Sequence, residues 1–236
     1  MAAEDSKIQS LANQILALAH DDLLMHLRFF DMALAQLKRR ERAKSGCFAS
    51  DGSTLFYDPV YVLKAYQENP KFIARCYLHV LLHCIFSHSF QYGKLETEHW
   101  DLAVDIAVEN VILDMKLDSV SLEQDGDAAR KLNILKEDIG ALTAERIYRY
   151  FRHNPVTPEE RRELIRLFAK DVHSLWKPAD SGAQEELVIT EEQWKKISER
   201  VKADLKSFTK NKSGGESLEK NLEETTRDRY DYSDIL

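Results

Sequence analysis

The chain has 236 residues and a formal net charge of -7. That length buries a sizeable core, in one domain or in one domain with a tail. The acidic balance argues against a general nucleic-acid surface, and no apolar run reaches the ~20 residues of a membrane span.

The N-terminus, Met1-Ala2-Ala3-Glu4-Asp5-Ser6, has no signal-peptide pattern. Three cysteines, Cys47, Cys76 and Cys84, are too few for a disulfide framework. The expected location is cytoplasmic, with Cys76 and Cys84 as buried, inert thiols in apolar sequence.

Apolar residues at three- and four-residue steps (Ile8, Leu11, Ile15, Leu18, then Leu23, Leu27, Phe30, Leu34, Leu37) predict helix over 6–42, with Asp21-Asp22 as a place to break. The basic cluster Lys38-Arg39-Arg40-Glu41-Arg42 reads as a solvated helix end, where cations suit the dipole. Residues 46–57 read as a hairpin turning at Asp51-Gly52. Asp58-Pro59 is an N-cap followed by proline at the first helical position.

The segment around which the chain is organised follows. Residues 71–91 read as a helix apolar on most sides, hence central and buried. It carries His79 and His83, four apart and so one turn apart on one face. Buried imidazoles need partners. Two readings stand at this point: a shared metal ion, or separate hydrogen bonds to carbonyls or carboxylates. The zinc-protease pattern His-Glu-x-x-His uses this spacing, with the Glu as general base. Here Val80 stands at the Glu position.

Gly93 breaks that helix, and the next runs over 98–115. Asp101, Asp105 and Glu109 repeat along one edge of it. Asp105, among Ala103, Val104, Ile106 and Ala107, is expensive there unless paired or metal-bound. Asp101 and Glu109 fit better as a solvated acidic stripe. Residues 116–130 read as a loop around Asp125-Gly126-Asp127. Short helices follow Thr143 and the capping box Thr157-Pro158-Glu159-Glu160. A last helix runs over 190–208, then a Lys/Ser/Gly-rich linker.

The stretch from His79 to Asn110 resembles a bacterial family of zincin-like metallopeptidase domains found ahead of a von Willebrand factor A (VWA)-like domain. The motif is a histidine helix with an extra histidine, then Trp-x-x-Ala-x-Asp-x-x-x-x-Asn; the chain supplies His79, His83, His88, Trp100, Ala103, Asp105 and Asn110. Ala49-Ser50-Asp51-Gly52, Tyr57-Asp58-Pro59, Ala144-Glu145-Arg146-Ile147-Tyr148 and Asp171-Val172-His173-Ser174-Leu175-Trp176 are further landmarks. The resemblance covers most of residues 20–209.

It implies a predominantly helical α+β zincin fold, with a small sheet beside the metal-binding helix. On this reading 1–209 form the metallopeptidase-like domain. Residues 210–236, ending Tyr230-Asp231-Tyr232-Ser233-Asp234-Ile235-Leu236, are a flexible lead-in to a C-terminal domain that the chain does not include. The implied metal ligands are His79, His83 and Asp105, with His88 as rival third ligand if the helix breaks near Ser87. The implied metal is zinc or another divalent ion. The strand over 55–57 would be the sheet edge that receives an extended peptide.

Val80 departs from the pattern, since a positioned base contributes roughly 10²–10⁴ in rate. Glu109 is conceivable as a stand-in and His173 as a donor, against a plain core-edge role for His173 near Trp176. The function expected is a metal-binding, metallopeptidase-like domain with weak or lost activity, a pseudoenzyme acting as a binding or regulatory module for a peptide or protein partner. The alternatives are an active zinc peptidase with a displaced base and a metal-free helical interaction domain.

Overall fold

The computed structural model describes residues 2–91, 95–176, 184–208 and 215–226. The fold is α+β and predominantly helical, with one three-stranded sheet among the described residues. No described helix is long and apolar enough to cross a membrane.

Helix α1 (Ala2–His26) buries Ala12, Leu16 and Leu23. It runs unbroken through Asp21-Asp22 and ends at His26. A 3₁₀ turn (Arg28–Phe30) and the short α2 (Asp31–Gln36) follow. Leu37 is extended, and the basic cluster read as a helix end is strand β1 (Lys38–Glu41). Its charges did predict exposure. They could not predict backbone conformation, which is set by a partner strand distant in sequence.

That partner is β3 (Thr54–Tyr57), which β1 pairs in parallel with Lys38 opposite Thr54. Strand β2 (Phe48–Ser50) pairs β3 antiparallel, as the hairpin predicts. The order β1-β3-β2 puts β3 in the middle. Residues 55–57 are therefore not the sheet edge expected from sequence, because β1 covers that side. In the hairpin turn Asp51 Oδ1 accepts from the N–H groups of Ser53 (2.9 Å) and Thr54 (2.8 Å). Gly52 has φ +92°, and a Cβ there would lie 2.6 Å from Ser89 Oγ, so glycine is required.

Asp58 caps α3 (Pro59–Glu68), accepting from Val60 N at 2.9 Å, and its other oxygen takes Gly46 N at 2.9 Å. Asn69 caps α4 (Pro70–Ile85) by accepting from Lys71 N at 3.0 Å. Every residue of α4 from Ile73 to Ile85 is buried. The helix stops six residues before its expected end. Ser87 then takes a left-handed conformation (φ 58°) and turns the chain back into a 3₁₀ segment, His88–Gln91. The break expected at Gly93 lies outside the described residues.

Helix α5 (Thr97–Met115) crosses α4 and is buried from Leu102 to Ile112. Residues 116–130, expected as a loop, contain a 3₁₀ turn (Asp118–Val120) and the start of α6 (Asp125–Ile139). Leu132 and Leu135 pull this helix onto the core and override its polar opening. Helices α7 (Ala144–His153) and α8 (Pro158–Phe168) follow, the latter with both reciprocal bonds of its capping box.

Helix α9 (Gln184–Phe208) begins six residues before Thr190. Residues Glu216–Thr226, read as charged lead-in, form α10, whose Leu218 and Leu222 are buried. Asp114 Oδ2 accepts from Gly215 N and Ser217 N at its start. Most of the expected linker, 209–214, and the lead-in at 230–236 lie outside the described residues.

Two apolar clusters result. One joins α1, α3, α4 and α9 with Val108, Val111 and Ile112 of α5. The other gathers Trp100, Ala103, Val104 and Ala107 of α5 with α6, α7, α8 and Trp176. A polar cluster lies between α4 and α5.

The Asp58 carboxylate ties the hairpin to the start of α3. Asp58→Ala removes an N-cap and a loop anchor together, and urea unfolding is expected to show a loss of ~1–2 kcal/mol. No change in the midpoint would contradict this role.

Candidate metal centre

The polar cluster is assembled from three places. Helix α4 supplies His79 and His83, which are 0% and 1% exposed. Helix α5 supplies Asp105 and Glu109 one turn apart. The segment after α8 supplies Lys170, Asp171 and His173. The sequence reading of His79, His83 and Asp105 as neighbours agrees with this geometry; Asp171 was not foreseen.

His79 Nε2 lies 2.9 Å from His83 Nε2 and 3.2 Å from Asp105 Oδ1. His83 Nε2 lies 3.3 Å from the same Asp105 oxygen. Asp171 Oδ1 stands 3.5 Å from His79 Nε2 and 3.9 Å from His83 Nε2. One donor atom from each of these four residues lies within 4.8 Å of every other, an arrangement that could hold a metal ion. Donors around a tetrahedral zinc at ~2.0–2.1 Å are separated by roughly 3.3–3.4 Å, and the measured separations scatter around that value.

The far nitrogens of both histidines are already fixed. His79 Nδ1 is 2.8 Å from Glu109 Oε1. Glu109 is in turn held by Arg75, whose Nε reaches both carboxylate oxygens at 3.1 Å and whose Nη2 reaches Oε2 at 2.7 Å. Lys170 Nζ lies 3.7 Å from the same carboxylate. Against the cost of burial, Arg75 and Lys170 hold the Glu109 carboxyl well below the usual carboxylate range. An ionised Glu109 only accepts, so His79 Nδ1 must donate and its neutral form turns the Nε2 lone pair into the cluster.

His83 Nδ1 makes the matching contact with His88 Nδ1 at 2.9 Å. The bend at Ser87, which the sequence required for His88 to turn back, is present. It brings His88 to the outer nitrogen of His83 and not into the donor set. Glu109, read as part of a solvated stripe, is 1% exposed and bound to Arg75 and His79. That arrangement leaves it no freedom to act as a stand-in base.

Of the two readings of His173, the structure places it at the cluster, as a residue reaching the cleft, while Trp176 is its neighbour as the core-edge reading had it. Its Nδ1 is 3.1 Å from Asp101 Oδ1, and its Nε2 is 3.3 Å from Asp105 Oδ1 and 3.2 Å from Asp171 Oδ1. Its ring stacks on Trp176 at 3.8 Å between centroids.

The charge distribution tests whether a cation fits. Glu109 has Arg75 and Lys170, but the side chains facing Asp105 and Asp171 within ion-pair distance are histidines. Neither oxygen of Asp171 makes an aligned hydrogen bond, although its side chain is 0% exposed. A buried carboxylate left like this costs on the order of several kcal/mol. A divalent ion among two imidazole nitrogens and two carboxylates removes that cost. With protons alone, His79 and His173 must carry the balancing charge. Against burial, the contacts of His79 with Asp105, Asp171 and Glu109 push it up to about 10. Burial pushes His83 down to about 4.

Sequence inspection missed Asp171 because it lies 66 residues beyond Asp105 in a segment without helical period. The signals were its place in the landmark Asp171-Val172-His173-Ser174-Leu175-Trp176 and the pairing of Asp171 with His173 at strand spacing.

Glu109→Gln keeps the shape but weakens the grip on His79, so the affinity for zinc is expected to fall ~10–100-fold by calorimetric titration. Arg75→Met leaves Glu109 buried and unpaired, and is expected to cost ~3–5 kcal/mol in denaturant unfolding.

Comparison with known proteins bears on this geometry. A search of the curated proteins and a search of the solved structures find no match. A family model described as "Putative metallopeptidase domain" matches residues 12–236, which include α4, α5 and the Asp171 segment. The chain belongs to that metallopeptidase-domain family.

Proposed function

We propose that this chain is a metal-binding member of its family in which peptidase activity is weak or lost, and that it serves as a binding or regulatory module. The observation that carries the reading is the set of four buried donors, His79, His83, Asp105 and Asp171, beside a fully buried Val80 where a general base would stand. Two imidazoles and two carboxylates suit zinc, and other divalent ions too. A bound ion would supply Lewis-acid character and a fixed double positive charge at the junction of α4, α5 and the segment after α8.

The chain's own residues support binding more than turnover. Glu109 holds His79 in the tautomer that presents Nε2, and His88 holds the outer nitrogen of His83. Val80 has no proton to exchange and packs in the apolar cluster of α4. Among the other polar residues of the cluster, Glu109 is tied to Arg75, and His173 is held between Asp101 and two site carboxylates. In this reading the module works in the cytoplasm, with a peptide or protein partner and a VWA-like domain following it in the same polypeptide.

One observation favours the rival reading of a working peptidase with a displaced base. Asp171 is a site carboxylate with both oxygens free of aligned hydrogen bonds. The two readings separate in solution. The proposal predicts one equivalent of divalent metal per purified chain by elemental analysis, and no cleavage of a mixed peptide library above a chelator-treated control. Chelator-sensitive cleavage by the wild-type chain would overturn it. A metal-free protein that unfolds identically with and without added zinc would favour a helical interaction domain instead.

A further inference from the structure

The segment 170–176 touches every part of the site, and the metal-binding reading above does not by itself explain why. Over 171–174 its side chains alternate as a strand's do, with Asp171 and His173 buried and Val172 and Ser174 exposed, and a turn at 174–175 then brings Trp176 back to the buried side. Lys170 Nζ donates to Leu167 O at 2.7 Å and stands beside Glu109. Val172 N donates to Phe48 O at 3.0 Å, and Val172 forms a parallel bridge with Ala49. Trp176 closes the far side, 5.0 Å from the His83 ring and stacked on His173.

Two consequences follow. The side of β2 not paired with β3 is the sheet edge nearest the metal cluster, and an extended peptide reaching the cluster would add there. The chain's own segment already takes it. In addition, a catalytic zinc site keeps one position for water, whereas a structural site is filled by four protein donors. Asp171 would be the fourth donor here, and it comes from this same segment.

We infer that residues 170–176 are a built-in strap that fills both the fourth metal position and the β2 edge, so that the chain itself shuts the site against small anions and peptides. The inference rests on the metal-binding reading. Its mechanical basis is an imbalance. Among the described residues the strap's backbone meets the sheet at one point, through the Val172 N to Phe48 O hydrogen bond and the bridge of Val172 with Ala49. Its innermost side chain, Asp171, has no aligned hydrogen bond. Its remaining contacts include ion pairs with His79 and His173, at 3.5 and 3.2 Å, so a bound ion would add the strongest single attachment at the centre of the strap, and removing it would loosen the strap there.

The test uses the protein loaded with cobalt(II), whose visible spectrum reports exchange of a ligand at the ion. Azide is titrated into wild type and into Asp171→Ala. The wild-type spectrum is expected not to change, whereas the variant should respond to azide and bind cobalt more than ~100-fold more weakly, beyond the ~10–100-fold of an orienting residue. In parallel, hydrogen exchange at the Val172 amide of the wild-type chain should rise at least tenfold on chelation, while amides in the centre of α1 stay protected. This second readout does not depend on the variant folding. If wild type binds cobalt but its spectrum responds to azide, the strap inference fails and the metal reading stands. Failure to bind cobalt at all overturns both. Should Asp171→Ala keep full cobalt affinity and instead abolish a wild-type cleavage activity, Asp171 is a base and not a ligand.

Discussion

Two aspartates buried among histidines set the terms for this structure. Asp105 and Asp171 point their Oδ1 atoms at the Nε2 atoms of His79 and His83, and the neighbouring Glu109 has already taken the nearby arginine and lysine. Carboxylates in such a position must be balanced by protons on imidazoles or by a cation. The surrounding architecture holds this cluster at the junction of two apolar clusters, with α4 and α5 as its walls.

The outer contacts show how rigid those walls are. Arg75 bridges Glu109 and the carbonyl of Val120, and its Nη2 also reaches Asp125 at the head of α6. Glu109 passes that restraint to His79. On the other side, the left-handed Ser87 returns His88 to His83, and the His88 carbonyl accepts from Trp100 Nε1. Each histidine is therefore oriented by a residue that is itself fixed to a different helix, the arrangement that well-ordered metal sites use. An unbraced histidine pair would have no such need of Arg75, which is otherwise an expensive residue to bury.

Part of this was legible in the sequence, for physical reasons. Helical spacing brought His79 and His83 together, and an aspartate in an apolar run marked Asp105 as paired or bound. Capping chemistry placed the starts of α3 and α8, and Asp51-Gly52 placed the hairpin. The errors arose where long-range contact decides. Lys38–Glu41 is a strand because β3 offers it a partner, although nothing local says so. Residues 125–139 fold as helix because Ala128, Leu132 and Leu135 find a core. Glu109 looked solvated because a carboxylate's burial depends on a cation, and Arg75 lies 34 residues away. Asp171 and His173 carried no helical period, and only the chain's return across β2 brings them to the site.

The most direct measurement is an anomalous difference map, at the zinc absorption edge, from crystals of the full chain grown with zinc. The account predicts one strong peak within about 2.0–2.2 Å of His79 Nε2, His83 Nε2 and one oxygen each of Asp105 and Asp171. A map with no peak among these four side chains, or with the ion bound elsewhere while they point apart, would contradict it.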